Sequence, residues 1–268
     1  MKKVSRLWSL SFLLLSLTVL LFGCGGGSKG SESPAGGESS DGDGKKKLIV
    51  GTDATWAPME YMDSNGNIVG IDIDIVEAIA DEAGFDVEFK NIGWEPLFPA
   101  VENGEVDFAV SSITITEERK KSFDFSDPYY IAQQVILVKE GSDIKSFQDL
   151  KDKKVSVQIN STGHIMLKEV MGKTSTKITA IDTLPFAIGE LMNGNVDAAV
   201  GDNSAVDEYL KNNPNAGVKI IEDDSAEIEY YGLLVKKGNS EVLNLLNEGI
   251  QKIKESGKLK EITGFDVE

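Results

Sequence analysis

The strongest constraint on the fold is a regular alternation of strand-like and helix-like segments, which begins at Lys47 and continues almost to the C-terminus. Short apolar runs, such as LIV at 48–50, VDFAV at 106–110 and VDAAV at 196–200, are typical of buried strands. Between them, segments such as DIDIVEAIADEAG carry apolar residues at helical spacing, and Gly84 is positioned to end that helix. The alternation predicts an α/β fold in which largely parallel sheets are flanked by helices.

One pattern occurs twice, as ENGEVDFAVSS at 102–112 and as MNGNVDAAVGD at 192–202. Each copy indicates a helix end, an Asn-Gly stop and a short buried strand with polar residues at its carboxyl end. Ligands of open α/β sheets bind at such strand ends, so two of them indicate a cleft between two halves of the body. Asn-Gly stops are common in unrelated folds, so coincidence is the alternative.

The two strand ends carry different chemistry. The first is followed by Ser111, Ser112, Thr114 and Arg119. The second is followed by Asp202. Arg119 is one of only two arginines in the chain, and a guanidinium fork matches a carboxylate with two parallel hydrogen bonds. A carboxylate such as Asp202 suits an ammonium group, so the two ends together fit a free amino acid. The alternative for Arg119 is a surface ion pair with Glu117 or Glu118.

A third candidate element is the segment NSTGH at 160–164, which follows a predicted strand and opens a predicted helix. Backbone N–H groups at a helix start bind anions with the help of the helix dipole, and Thr162 adds a hydroxyl. Serine and threonine also cap helices without binding a ligand, and that alternative stays open.

The N-terminus has a different composition from the body. A basic start, MKKVSR, and the apolar run LWSLSFLLLSLTVLLF predict a secretory signal peptide at 1–23, with an uncleaved membrane anchor as the alternative. LFGC resembles the lipobox of bacterial lipoproteins, which predicts lipidation of Cys24, the only cysteine. The Gly- and Ser-rich segment 24–46 is then a flexible linker. The body is expected outside the cytoplasmic membrane and anchored to it, at the cell membrane or on its periplasmic side.

Composition excludes several function classes. The formal net charge of -17 becomes -20 once the three positive charges of the predicted signal peptide are removed, and such an acidic body argues against nucleic-acid binding. His164 is the only histidine and no G-x-S-x-G segment occurs, so neither a serine triad nor a histidine-rich zinc site is predicted. Acidic runs such as DIDID fit a helix start better than a calcium loop. We therefore expect no metal and no cofactor.

Three segments resemble signature segments of the family 3 solute-binding proteins, the amino-acid receptors of ABC importers. They are GTDATWAPMEYMDSNGNIVGIDIDIVEAIA, SSITITEERKKSFDFSDPYY and DLKDKKVSVQINSTGH. The resemblance covers about residues 47–265 and implies a two-lobe, type II periplasmic-binding-protein-like fold. Each lobe would be a central sheet flanked by helices, with two crossovers at the hinge. Lobe 1 is predicted at 47–131 and 232–268, and lobe 2 at 132–231.

The resemblance also implies a set of ligand-binding residues. They are Asp53, Trp56, Trp94, Ser111, Ser112, Thr114, Arg119, Gln158, Thr162 and Asp202. Within this set, Arg119 is expected to bind the ligand α-carboxylate, assisted by the matching hydroxyl or backbone groups, and Asp202 the α-ammonium. Trp56 and Trp94 are expected to flank the ligand side chain, and Asp53 to contact its polar end.

Two tryptophans and an acid favour a basic ligand side chain, through stacking and cation–π contact. Arginine, lysine or histidine is therefore the favoured ligand, and glutamine or another neutral polar amino acid is the alternative. The expected partners are the permease subunits of an ABC importer, and the protein is expected to be a monomer and not an enzyme. A cyclohexadienyl dehydratase on the same fold is the rival, with Asp202 or Asp53 as general acid. The roles of Glu60 and Glu95 stay open.

Overall fold

The structure is a computed structural model that describes residues 45–267. The predicted signal peptide (1–23), the lipidation site at Cys24 and nearly all of the predicted linker lie outside the described residues. The strands are β1 Lys47–Thr52, β2 Thr55–Trp56, β3 Glu60–Met62, β4 Ile68–Val69, β5 Asp86–Asn91, β6 Phe108–Ala109, β7 Phe123–Phe125, β8 Tyr130–Lys139, β9 Val155–Gln158, β10 Ile178–Ile181, β11 Ala198–Asp202, β12 Val218–Ile221, β13 Ile228–Tyr231 and β14 Leu234–Lys236. The helices are α1 Ile71–Ala83, α2 Trp94–Asn103, α3 Arg119–Ser122, α4 Thr162–Met171, α5 Leu184–Met192, α6 Asn203–Asn212, α7 Ser240–Glu255 and α8 Lys258–Thr263, with a 3₁₀ helix at Phe147–Asp152.

The first of two main sheets has five strands in the order β5-β1-β6-β14-β7. β1 pairs in parallel with β5 and β6, whereas β14 pairs antiparallel with β6 and β7. Helices α1 and α2 pack on this sheet, and α7 packs on α1. A small three-stranded sheet, β2-β3-β4, lies between β1 and α1 in the chain.

The second main sheet repeats the plan of the first, in the order β10-β9-β11-β8-β12. β9 pairs in parallel with β10 and β11, and β8 pairs antiparallel with β11 and β12. The repeated sequence pattern supplies the third strand of each sheet, β6 and β11. The sheets are mixed and not largely parallel, because β8 and β14 enter them without a crossover helix, which antiparallel strands do not need.

The chain crosses between the main sheets twice, as the two-lobe fold predicts. The first residues of β8 pair antiparallel with β13, and its later residues pair with β11 and β12. β13 then leads back to β14 in the first sheet, and an isolated bridge joins Thr114 to Tyr231. Two adjacent antiparallel strands therefore connect the sheets.

Helix ends follow the sequence signals in one case and depart from them in another. Gly84 ends α1 in a left-handed conformation (φ 79°) and donates its N–H to the carbonyl of Ala80, as predicted. The prolines of the segment WEPLFPAVENG predict a helix that begins only after them, but α2 begins at Trp94 and contains both. Pro96 lies in the first turn, where a missing N–H costs no helical bond, and Pro99 lies in the interior. The early start places Trp94 at the edge of the first sheet.

Apolar side chains bury both sheets. Val50 and Phe108 in the first sheet, and Val157 and Val200 in the second, are fully buried. Each such side chain contributes roughly 1.5–3 kcal/mol through burial, so the strands form rigid supports for the residues that follow them. Within residues 45–267, no helix combines the length and the apolar character needed to cross a membrane.

Candidate functional site

A crevice lies where the carboxyl ends of parallel strands from both sheets come together. It is lined by Asp53, Trp56, Glu60, Trp94, Ser111, Ser112, Thr114, Arg119, Gln158, Ser161, Thr162 and Asp202. All ten residues predicted from the sequence are therefore in one place, together with Glu60 and Ser161. Strand topology explains the convergence, since β1 leads to Asp53, β6 to Ser111, β9 ends at Gln158 and β11 ends at Asp202.

Arg119, the first residue of α3, holds its guanidinium against a pair of aromatic rings. The ζ carbon lies 5.5 Å from the ring centroids of both Trp94 and Phe98, a distance at which cation–π attraction operates. Nη1 donates to the carbonyl of Thr114 (2.8 Å) and Nη2 to the carbonyl of Asn160 (3.4 Å). The guanidinium is thus fixed by backbone oxygens and by rings.

The surface ion pair considered for Arg119 is not present. Glu117 pairs with Lys120 at 2.9 Å, and Glu118 pairs with Lys121. Among the described residues, no carboxylate oxygen lies within 4.0 Å of an Arg119 nitrogen. Burial lowers the pKa of Arg119 to about 10, although the charges of Glu229 and Asp202 oppose this. A partly buried cation without a paired carboxylate is costly, so an anion in the crevice would stabilise it.

Asp202 provides the opposite charge. It is buried at the end of β11, where Gln134 donates to Oδ1 at 2.6 Å and the hydroxyl of Tyr231 donates to Oδ2. Burial and the charge of Glu229 raise the pKa of Asp202 to about 7, while the two hydrogen bonds and the charge of Arg119 lower it. A cation next to Asp202 would favour its ionised form.

Glu229, on β13, brings a further carboxylate to the edge of the crevice. Its Oε2 accepts hydrogen bonds from the hydroxyls of Thr114 (2.7 Å) and Thr162 (2.8 Å), and its Oε1 is 3.3 Å from Nε2 of Gln134. Thr114 follows β6 in the first sheet and Thr162 begins α4 in the second half. One carboxylate therefore joins the two sides through the hydroxyls predicted to bind a ligand.

Ser111 and Ser112 form a tight corner after β6. Ser112 has a left-handed backbone (φ 48°), which is uncommon for a residue other than glycine and marks functional sites. Its N–H donates to Oδ2 of Asp72 at 2.7 Å. The hydroxyls of Ser111 and Ser112 donate to the two carboxyl oxygens of Glu60, at 2.8 and 3.3 Å.

Glu60 and Asp72 form a fully buried pair of carboxyl groups behind these serines. Burial and the charge of Asp72 raise the pKa of Glu60 well above its ordinary value. Burial raises the pKa of Asp72 to about 6, against the lowering effect of the Ser112 N–H and of a hydrogen bond with Glu60. Burial thus disfavours the ionised form of both acids.

Asp53 occupies the same end of the crevice. Its N–H donates to the hydroxyl oxygen of Ser111 at 3.1 Å. Its carboxylate accepts from the hydroxyl of Thr55 (3.1 Å) and from Nε2 of Gln158 (3.4 Å). Burial raises the pKa of Asp53, and these two bonds oppose the shift. The indole N–H of the adjacent Trp56 is buried with no partner among the described residues.

In the NSTGH segment, one residue caps the helix and another lies at the crevice, so both roles considered for the segment occur. Ser161 is the N-cap of α4: its hydroxyl oxygen accepts from the N–H of His164 at 3.1 Å and its hydroxyl donates to the carbonyl of Gln158. Thr162 is the first helical residue, and its hydroxyl bonds Glu229. The positive end of the α4 dipole therefore lies at the crevice.

Further contacts close the crevice from one side to the other. The indole N–H of Trp94 donates to the carbonyl of Ile159 at 2.8 Å, and Nδ2 of Asn160 donates to Glu95 at 2.7 Å. Glu95 therefore joins the two sides and does not line the crevice. The free volume inside is about 20 Å³, room for roughly one water molecule. A larger ligand requires the two sides to separate.

Four residues of this region escaped the sequence analysis. They are Phe98, Gln134, Glu229 and Tyr231. Three of them carried a usable signal. Glu229 and Tyr231 lie two apart on a strand and so share a face. Phe98 lies four positions after Trp94, on the same face of α2. Within residues 45–267, no group of three or more His, Cys, Asp or Glu side chains is arranged to hold a metal ion.

Comparison with known proteins gives consistent matches. The model of the bacterial extracellular solute-binding proteins, family 3, matches residues 48–264. A probable histidine-binding protein of Neisseria gonorrhoeae is 38% identical over 90% of this chain and 88% of its own. The arginine-binding extracellular protein ArtP of Bacillus subtilis is 32% identical over 95% of each chain. The crystal structure of the arginine-, lysine-, histidine-binding protein ArtJ from Geobacillus stearothermophilus superposes with a TM-score of 0.79 and 46% identity, covering 83% of this chain and 97% of that one.

Proposed function

The chain belongs to the bacterial extracellular solute-binding proteins of family 3, and from this premise we propose that it binds a free basic L-amino acid for an ABC importer. One observation carries the proposal. The Arg119 guanidinium, with no carboxylate within 4.0 Å among the described residues, lines the same crevice as the buried carboxylate of Asp202. A zwitterion satisfies both groups at once, which neither a simple anion nor a simple cation does.

The ligand carboxylate binds Arg119 and the hydroxyls of Thr114 and Thr162, and the ligand ammonium binds Asp202. The carboxylate then replaces the Glu229 oxygen that accepts both hydroxyls in the closed crevice. The ligand side chain extends towards Asp53. Trp56 and Trp94 flank it, although one neighbour of the Trp94 ring is Arg119 itself.

A basic side chain is supported by the chemistry of the Asp53 end. Asp53 is buried there with a carboxylate that has no cationic partner among the described residues. Relatives described as binding arginine, lysine or histidine point the same way. Glutamine is the alternative ligand, because an acid can also accept from an amide N–H.

Binding proceeds by closure of two lobes, lobe 1 at 47–131 and 232–268 and lobe 2 at 132–231. The antiparallel pair of β8 and β13 is the hinge, since within the described chain the backbone passes between the main sheets only through these two strands. A ligand that contacts both lobes stabilises the closed state, and its differential affinity for that state drives the motion.

Residues 1–23 act as a signal peptide, and lipidated Cys24 tethers the protein through the linker 24–46. A tethered monomer stays close to its permease, to which it releases the amino acid chemically unchanged. Cys24→Ala is expected to move the protein from the membrane fraction to the soluble fraction after cell lysis. Retention of the variant in the membrane fraction would exclude the lipid tether.

The proposal is tested by a thermal-shift screen of the purified protein against the twenty amino acids. A ligand that binds only the folded state adds about 2.7 kcal/mol to the free energy of unfolding at a concentration of 100 times Kd, and this raises Tm. Arginine, lysine or histidine is expected to give the largest rise. A screen in which no amino acid raises Tm would overturn the proposal. A response to glutamine alone would contradict only the claim that the ligand has a basic side chain.

A further inference from the structure

The hydroxyl of Ser111 has a fully determined hydrogen-bond direction. A serine hydroxyl donates one hydrogen bond and accepts at most two. That of Ser111 donates to Oε1 of Glu60 at 2.8 Å and accepts from the N–H of Asp53 at 3.1 Å. It has no proton left for a ligand, and one lone pair remains. Ser111 is therefore an acceptor in the crevice.

Neighbouring polar side chains at this end of the crevice also offer acceptors, and not donors, to a ligand. The hydroxyl of Ser112 also donates to Glu60, at 3.3 Å. Nε2 of Gln158 donates to Asp53 and to the carbonyl of Asp182, at 3.4 and 3.1 Å, which uses both of its protons. Only acceptors remain on these side chains, and the indole N–H of Trp56 is the one unpartnered side-chain donor on this part of the described lining.

Glu60 imposes this polarity from behind the lining. It is 1% exposed and both of its oxygens accept from the serines. Asp72 fixes the same corner by accepting the Ser112 N–H at 2.7 Å. Burial and the neighbouring charge of Asp72 raise the pKa of Glu60 well above its ordinary value.

We propose that Glu60 is a positioning residue for ligand selection, which holds the Ser111 and Ser112 hydroxyls as acceptors and so makes this end of the crevice select side chains that only donate. This inference rests on the proposed function. A guanidinium or an ammonium has several N–H donors and no acceptor. A ureido or amide side chain places a carbonyl oxygen against the same acceptors, with the Trp56 N–H as the one donor left for it, which costs binding free energy.

The test compares L-arginine with L-citrulline, which has nearly the same shape but carries a neutral ureido group. Calorimetry measures both Kd values for the wild-type protein and for three variants, Glu60→Gln, Glu60→Met and Ser111→Ala. The ratio of the two Kd values is the readout, because a general loss of folding or affinity affects both ligands equally. Circular dichroism melting confirms that each variant is folded.

The wild-type protein is expected to prefer arginine about 100-fold or more. Glu60→Gln keeps that ratio within about threefold, since its amide oxygen still accepts from Ser111 and so holds that hydroxyl as an acceptor. Glu60→Met narrows the ratio about tenfold, because the freed Ser111 hydroxyl then donates to the citrulline oxygen. Ser111→Ala weakens arginine binding several-fold, by the loss of one acceptor, without any gain for citrulline.

Three results would overturn the inference. The first is that Glu60→Met keeps the wild-type ratio of Kd values, and the second is that Glu60→Gln narrows this ratio as much as Glu60→Met does. The third is that Ser111→Ala binds arginine as tightly as the wild type. If Glu60→Met does not fold, the other two variants decide. A wild-type protein that binds citrulline as well as arginine contradicts the inference and leaves the receptor function standing, whereas one that binds no amino acid contradicts the proposed function itself.

Discussion

Replacing Glu229 with alanine is expected to tighten amino-acid binding, although the change removes a negative charge from a site proposed to bind cations. The Glu229 carboxylate accepts the hydroxyls of Thr114 and Thr162, at 2.7 and 2.8 Å. Each hydroxyl has one proton to donate. A ligand carboxylate therefore obtains them only after Glu229 has released both.

Two opposing contributions set the magnitude. A hydrogen bond to a charged group contributes roughly 1.5 kcal/mol or more, so two such bonds give the internal carboxylate an advantage of about 3 kcal/mol. If a cationic side chain lies roughly 8 Å from Glu229, the lost attraction is about 2 kcal/mol at an effective dielectric constant of about 20. The balance favours the variant by about 1 kcal/mol, or roughly fivefold in Kd.

Calorimetry with L-arginine measures this change, and Glu227→Ala is the matched control. Glu227 is exposed, lies two positions before Glu229, and makes no hydrogen bond or ion pair within the part of the chain that the structure describes. The control removes the same charge nearby and is expected to weaken binding slightly. The reasoning is refuted if Glu229→Ala binds more weakly than the wild type, or if both variants change affinity equally.

Three further outcomes are expected. Arg119→Lys keeps the charge but loses the planar fork, and should weaken arginine binding at least tenfold, about 1.4 kcal/mol; an unchanged Kd in calorimetry would remove Arg119 from the carboxylate site. The ligand ammonium binds ionised Asp202, whose pKa is about 7, so the affinity for the ligand should fall by up to about tenfold per pH unit below that value. If the affinity of Asp202→Asn falls as steeply with pH as that of the wild type, Asp202 is not the cause. The folded pKa of Asp202 is above its unfolded value of 3.8, so its contribution to the stability of the ligand-free protein is present below about pH 4 and is lost as the pH rises to about 7. Urea unfolding of Asp202→Asn should therefore show a smaller loss of stability over this pH range than the wild type, and an equal loss would contradict the pKa shift.

The sequence predicted the elements that carry strong local signals. Helical spacing and Gly84 located α1, and the repeated Asn-Gly pattern located β6 and β11 with the polar residues that follow them. These signals are local, because a helix face or a strand end is determined by residues close together in the chain. The strand β8 and the small sheet of β2, β3 and β4 were not predicted. β8 contacts strands far away in the chain, and pairing of that kind leaves little trace in local composition.

The residues of the candidate site were predicted better than the hydrogen bonds that they make. The ten proposed residues meet in one crevice because strand ends bring them there. Their partners, such as Gln134 at Asp202 and Glu60 behind Ser111, come from other elements at sequence separations of 68 and 51 residues. A pattern read along the chain cannot show which way a hydroxyl points. The raised pKa values of Glu60 and Asp72 likewise depend on burial that only the fold creates.

The lining residues are divided unequally between the two sides of the crevice. Eight of the twelve lining residues, among them Asp53, Ser111 and Arg119, belong to the first sheet and the segments around it, whereas four, among them Thr162 and Asp202, belong to the second. An arriving solute therefore meets most of its recognition groups on one open surface before the other side moves. Capture and retention become separate kinetic events: substitutions on the first side should alter the association rate, and substitutions at Thr162 or Asp202 should alter mainly how long the complex persists.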